Sequence, residues 1–110
     1  MSTAHASSVY RMTQFVVPAA ARQEFLARAR EAAILLAAQP GLLRNSLLEQ
    51  PQPDGTSRIV TLAEWRDDAA MEAAAVAVKK QQEAQGFNPQ DLRARLNIQA
   101  ETSLYRALAL

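Results

Sequence analysis

Apolar and polar positions along the chain follow two rhythms, one of period two and one of three to four residues. Val9 to Val17, Val-Tyr-Arg-Met-Thr-Gln-Phe-Val-Val, is β-branched and aromatic and ends at Pro18, which predicts a strand. Its side chains alternate, so Tyr10, Met12, Gln14 and Val16 share one face while Val9, Arg11, Thr13, Phe15 and Val17 share the other. Pro18 suits a first helical turn. Ala19 to Gln39 lacks Gly and Pro and places Phe25, Ala29, Ala32, Ala33 and Leu36 at helical steps, so a helix is predicted there. Pro40-Gly41 stops it.

Leu42 to Gln50 and Ile59 to Trp65 return to an extended pattern around the turn-rich stretch from Pro51 to Gly55, which predicts a hairpin. A second helix is predicted through Gln85, capped by Asp67 or Asp68, whose carboxylate accepts free N–H groups of the first turn, and closed by Gly86. Asn88-Pro89-Gln90-Asp91 reads as a cap and first turn of a short helix to about Leu96, and Ile98 to Leu108 as a last strand. Residues 1–8 are small and polar, predicting a loose arm ahead of one domain at 9–110.

Strand, helix, strand, strand, helix, short helix, strand is the order of a ferredoxin-like βαββαβ α+β fold, with helices on one face of a four-stranded antiparallel sheet. A sheet with one wet face alternates between apolar and polar residues. Here Val9, Phe15 and Val17 oppose Tyr10, Met12 and Val16, and Ile59, Ala63 and Trp65 oppose Val60 and Leu62, so both faces carry apolar groups. Helices cover only one, and the other is expected to pack on the same face of a second copy, forming a homodimer.

Composition narrows the chemistry. The 110 residues carry 12 Lys+Arg against 11 Asp+Glu, a net charge of +1, too balanced for the basic stripe that holds nucleic acid. There is no cysteine, which removes disulfides, thiolate metal sites and cysteine nucleophiles. The single histidine, His5, sits in the polar arm, where it is read as solvated, so no zinc site of the usual type is expected. No apolar run reaches the ~18 residues of a membrane span. The N-terminus lacks the pattern of a secretory leader, so a cytoplasmic protein is expected. Alanine supplies 23 residues, leaving few large side chains for a core and again favouring a partner.

The layout and several local strings resemble the antibiotic biosynthesis monooxygenase family of dimeric α+β barrels. The strings are the first strand running into Pro18 and the Phe25-Leu26 helix, Gln39-Pro40-Gly41-Leu42, Leu47-Leu48-Glu49 and above all the continuous stretch from Thr61 to Glu72, TLAEWRDDAAME. The resemblance implies a pocket between sheet and helices in each subunit, where family members oxygenate electron-rich aromatics such as quinols or polyphenols with dioxygen and no cofactor. Other branches degrade haem, oxidise quinols or isomerise small signalling sugars. Oxygenating members rely on an Asn and a Trp four residues apart on the third strand and on a later Tyr. Trp65 stands at the Trp position, Thr61 at that of the Asn and Met71 at that of the Tyr. Haem-degrading relatives need a histidine in the second helix, which is missing here, so haem chemistry is not expected.

Trp65, Thr61 and Glu64 are the candidate catalytic residues. Trp65 either walls a planar ligand or packs in the core. Thr61 shares its face, four being an even number of strand steps, and either hydrogen-bonds a ligand oxygen or simply suits the pleat. Glu64 lies on the face of Val60 and Leu62; it is either a base toward a phenol, raised in pKa by desolvation, or the ion-pair partner of Arg11, Arg44 or Arg66. Gln14, Asn45, Tyr10 and Met12 are the candidate ligand-binding residues, since amides flanked by apolar neighbours either orient a ligand or bond to backbone. Tyr105 and Arg106 are expected at the subunit interface, and Lys79-Lys80 on a solvated face. The expected function is cofactor-independent monooxygenation of an aromatic small molecule. A non-catalytic metabolite-binding dimer and a small-molecule isomerase are the alternatives.

Overall fold

The computed structural model describes residues 8–110, so His5 and the arm apart from Ser8 lie outside the described residues. The elements are β1 (Val9–Val17), a 3₁₀ turn (Ala19–Ala21), α1 (Arg22–Ala37), β2 (Leu42–Pro51), β3 (Ser57–Trp65), α2 (Asp68–Ala84), α3 (Pro89–Leu96) and β4 (Gln99–Arg106). The strands form one antiparallel sheet in the order β2-β3-β1-β4. This is the ferredoxin-like α+β fold.

Local chemistry explains where the elements begin and end. Ala19 to Ala21 offer no side-chain oxygen to cap a helix, and the chain tightens into a 3₁₀ turn, the Ala21 N–H donating to Pro18 O at 2.9 Å, before α1 starts at Arg22. Asp67 is the cap of α2: its Oδ1 accepts from the Ala70 N–H at 2.8 Å, while Asp68 pairs with Arg106 at 2.8 Å. Asn88 Oδ1 accepts from Gln90 and Asp91 N–H groups at 2.8 and 3.2 Å, with Pro89 opening α3 behind it. Gly41 holds φ +90°, and a Cβ there would come within 2.5 Å of Ala70 Cβ, so β2 and α2 approach closely only because the residue is glycine. Ser8 is buried rather than loose, its carbonyl accepting from the Ala107 N–H at 3.1 Å. Its hydroxyl has no partner among the described residues.

The register sorts the sheet into two faces. One face meets the helices and carries Val9, Arg11, Thr13, Phe15 and Val17 of β1; the outer face carries Tyr10, Met12, Gln14 and Val16. The core on the helical side has two parts. Val17, Phe25, Leu26, Ile59 and Ile98 pack at one end, and Val9, Ala63, Trp65, Ala70 and Ala74 at the other. Between these ends the sheet presents Arg11, Thr13 and Thr61, which neither cluster buries.

Candidate functional site

The space between the two core clusters is a consequence of alanine. Along the middle of α1 the residues that line the space are Ala29, Ala32 and Ala33, which reach only one carbon beyond the backbone. They leave a cleft of about 980 Å³ between the helices and the sheet, enough for several fused rings. Phe25, Leu36, Met71, Val78, Phe87 and Leu92 add apolar walls.

The floor follows from the strand register. One row across the sheet reads Leu47, Thr61, Thr13, Thr102; the next reads Asn45, Ala63, Arg11, Leu104; the third reads Leu42, Trp65, Val9, Arg106. Neighbours within a row are about 5 Å apart. Thr13, buried at the centre, shares a hydrogen bond of 3.0 Å with the hydroxyl of Thr102, and Arg11 Nη1 donates to Thr13 Oγ1 at 3.4 Å. Three hydroxyls, an amide and a guanidinium thus share a floor whose far end is Trp65. The indole is only 2% exposed, because Val9, Ala63, Ala70 and Ala74 hold it in place, yet it also borders the cleft. Loss of water around Arg11 lowers its pKa from the ordinary arginine range. Among the described residues no cluster of three or more His, Cys, Asp or Glu side chains could hold a metal ion.

The antibiotic biosynthesis monooxygenase family model matches residues 8–77. The chain belongs to this family. No curated protein matches its sequence. Solved structures similar to this antibiotic biosynthesis monooxygenase family member include a variant of SnoaB, a cofactor-independent oxygenase from Streptomyces nogalater, at 26% identity and a TM-score of 0.64, covering 96% of this chain and 97% of that one. A conserved protein from Methanosarcina mazei Go1 aligns at 14% identity with a TM-score of 0.74, covering 97% and 99%. A dimeric ferredoxin-like protein from an uncultured marine organism aligns at 15% with a TM-score of 0.71, covering 94% and 97%. These last two likenesses concern the fold.

In this family member the candidate residues divide between the two faces of the sheet. Trp65, Thr61 and Asn45 line the cleft together. Tyr10, Met12, Gln14 and Glu64 lie on the outer face and do not border it, because their positions are odd-numbered strand steps from the floor residues. Gln14 and Asn45, expected beside one ligand, are therefore on opposite sides of the sheet. Glu64 is buried between Tyr10 and Arg44, its cross-strand neighbours; Arg11 is on the other face and Arg66 pairs with Asp67 at 3.4 Å. Desolvation, followed by the neighbouring Glu64, raises the Tyr10 phenol above its ordinary pKa. Met71 lines the cleft where oxygenating members were expected to carry a tyrosine.

Arg11, Thr13 and Thr102 were not among the candidates, although they complete the floor. Their signal was present in the alternation: in the stripe Val9, Arg11, Thr13, Phe15, Val17 the two central positions are polar while both ends are apolar.

Proposed function

We propose that the protein is a homodimeric, cofactor-independent monooxygenase that binds a planar, electron-rich aromatic of the quinol or polyphenol class and lets it react with dioxygen. The observation that carries this is the pairing of Trp65 with Thr61 on the floor of an apolar-walled cleft, in a chain of the antibiotic biosynthesis monooxygenase family. The similar Streptomyces nogalater protein is a cofactor-independent oxygenase, which agrees with it.

In this scheme the ring lies against Trp65, with its oxygens hydrogen-bonded by Thr61 and Asn45. Ionising the substrate is the protein's main task. A phenol with a free ring C–H para to its hydroxyl loses the hydroxyl proton to give a delocalised anion, and the hydroxyl floor stabilises that charge. Glu72, the carboxylate that lines the cleft, takes the proton. The anion passes one electron to dioxygen, the two radicals join as a peroxide on the ring carbon, and the proton returns to the peroxide. Loss of water then leaves a carbonyl. One oxygen atom stays on the ring, the other leaves as water, and both reducing electrons come from the substrate, so no further reductant enters the balance.

The homodimer forms through the outer face, whose Met12, Val60 and Leu62 lie away from the helices; the similar marine protein is a dimeric ferredoxin-like protein. The test of function is oxygen uptake with a panel of quinols and anthrones under air. Thr61→Val keeps shape and removes the hydroxyl, and a loss of about tenfold in kcat/KM is expected. Trp65→Phe is expected to raise KM. Parity of both variants with the parent removes the assignment. The Thr61 and Met71 replacements favour a second reading, a binding dimer without turnover, which saturable binding of the same aromatics with no oxygen consumed would establish.

A further inference from the structure

The charge on the cleft does not match the charge on the chain. The whole protein carries +1, whereas the cleft is lined by Arg11, Arg28, Arg30, Lys79 and Arg93 against the single carboxylate of Glu72. Most of these cations stand at the mouth, and Arg28 is already engaged, bonded to Glu31 at 3.1 Å and lying 4.6 Å above the Phe87 ring. Arg11 differs from them because it rises from the central strand of the floor. Its cross-strand neighbours are Ala63 and Leu104, neither of which can answer its charge. Among the described residues it enters no ion pair, and its hydrogen bond goes to the neutral hydroxyl of Thr13. Arg11 is exposed to the space of the cleft, so its remaining N–H groups are open to an anion that enters there.

We propose that Arg11 is a specificity residue that reads a carboxylate carried on the edge of the aromatic ligand, an inference that rests on the aromatic reading of the cleft given above. The register sets the geometry. Ala63, directly across from Arg11, lies between Thr61 and Trp65 on β3, so a ring with one edge at Trp65 and an oxygen at Thr61 turns its remaining edge toward β1 and Arg11. Ala63 itself is buried in the Trp65 cluster, and Thr61, Asn45 and Arg11 around it line the cleft. Thr13, held in turn by Thr102, takes one N–H of the guanidinium and steadies its plane, leaving other N–H groups for the forked contact that matches a carboxylate. The apolar walls select an aromatic acid over a small hydrophilic anion such as a sugar phosphate.

The test is calorimetric titration of the full chain with naphthalene-2-carboxylate and with naphthalene-2-carboxamide, which share a shape and differ in charge. The native protein is expected to bind the carboxylate at least about tenfold more tightly, the worth of one charge-assisted hydrogen bond. In Arg11→Gln the ratio is expected to fall to near one with carboxamide affinity unchanged, and Arg11→Lys to keep part of the preference. Equal binding of both compounds by the native protein overturns the role of Arg11 and leaves the aromatic cleft intact; failure of both to bind overturns the two together. Persistence of the preference in Arg11→Gln, or loss of both ligands there with Arg11→Lys no better, also overturns the proposal, the latter by making Arg11 a structural residue.

Discussion

At Glu49 three side chains from three elements meet. Arg22, at the start of α1, donates through Nε and Nη2 to both carboxylate oxygens at 2.7 and 2.8 Å, and Ser57 at the start of β3 donates its hydroxyl at 2.7 Å. The Arg22 hydrogen bonds, then that of Ser57, hold the Glu49 pKa at about 2 against an ordinary 4.5. A carboxyl depressed in the folded state contributes fully above its unfolded pKa and loses that contribution as pH falls through the folded value. Glu49→Gln is therefore expected to lower the urea midpoint at pH 7, and the gap between native and variant to close between pH 4.5 and about 2. A gap that stays constant across that range would assign the destabilisation to something other than charge. None of this was legible in the chain, because Arg22 and Glu49 are 27 positions apart and no periodicity couples them. The cleft floor was half legible. Alternation grouped Arg11 with Thr13 and Thr61 with Trp65, but it does not say which face meets the helices, and both faces of β1 carry apolar groups. That is why Gln14 and Glu64, on the outer face, were grouped with residues of the cleft.

Period and punctuation are strong signals for elements, and the order of strands and helices followed from them. The caps at Asp67 and Asn88 lie where an oxygen precedes an apolar run, as expected of side chains that satisfy free N–H groups. The start of α1 deviates because three alanines carry no such oxygen. The same residue type decides what α1 does further along. Its stripe reads as core-facing by spacing, yet Ala29, Ala32 and Ala33 face a cleft, since periodicity reports direction and not the volume that fills the space. Ala33→Leu extends a branched side chain into that space from a position that belongs to neither buried core cluster. The expected result is a thermal midpoint at or above that of the parent, with affinity for a bound aromatic reduced by more than about tenfold. Undiminished affinity would place the ligand elsewhere on the protein.

The whole molecule is a slab. It measures 46 × 36 × 17 Å along its principal axes, with a radius of gyration of 14.9 Å, where a compact chain of this length has about 13 Å. One layer of helices on one sheet gives that thinness and leaves the outer face without cover from its own chain. Val16, Leu48 and Tyr105 are exposed there at 38%, 53% and 50%, while Met12, Val60 and Leu62 are half-buried at its centre. Glu64 is buried on the same face with Tyr10 and Arg44 as neighbours, so one polar patch lies within an apolar field. Packing two such faces together removes the apolar field from water and doubles the slab, as sheet-on-sheet association does elsewhere. The cleft, by contrast, is enclosed by elements of a single chain, on the far side of the sheet from this surface. Dimerisation and ligand binding are thus separable. Light scattering is expected to give twice the 12.0 kDa chain mass for the native protein. Leu62→Glu sets a second carboxylate beside Glu64 in the middle of the face, where the two-fold copy brings the same pair opposite. It is expected to give the chain mass with an unchanged circular dichroism spectrum and to bind an aromatic with unchanged affinity and the same stoichiometry per chain. A Leu62→Glu protein that stays dimeric would show that association uses another surface; a folded monomer with no site at all would show that the cleft needs its twin.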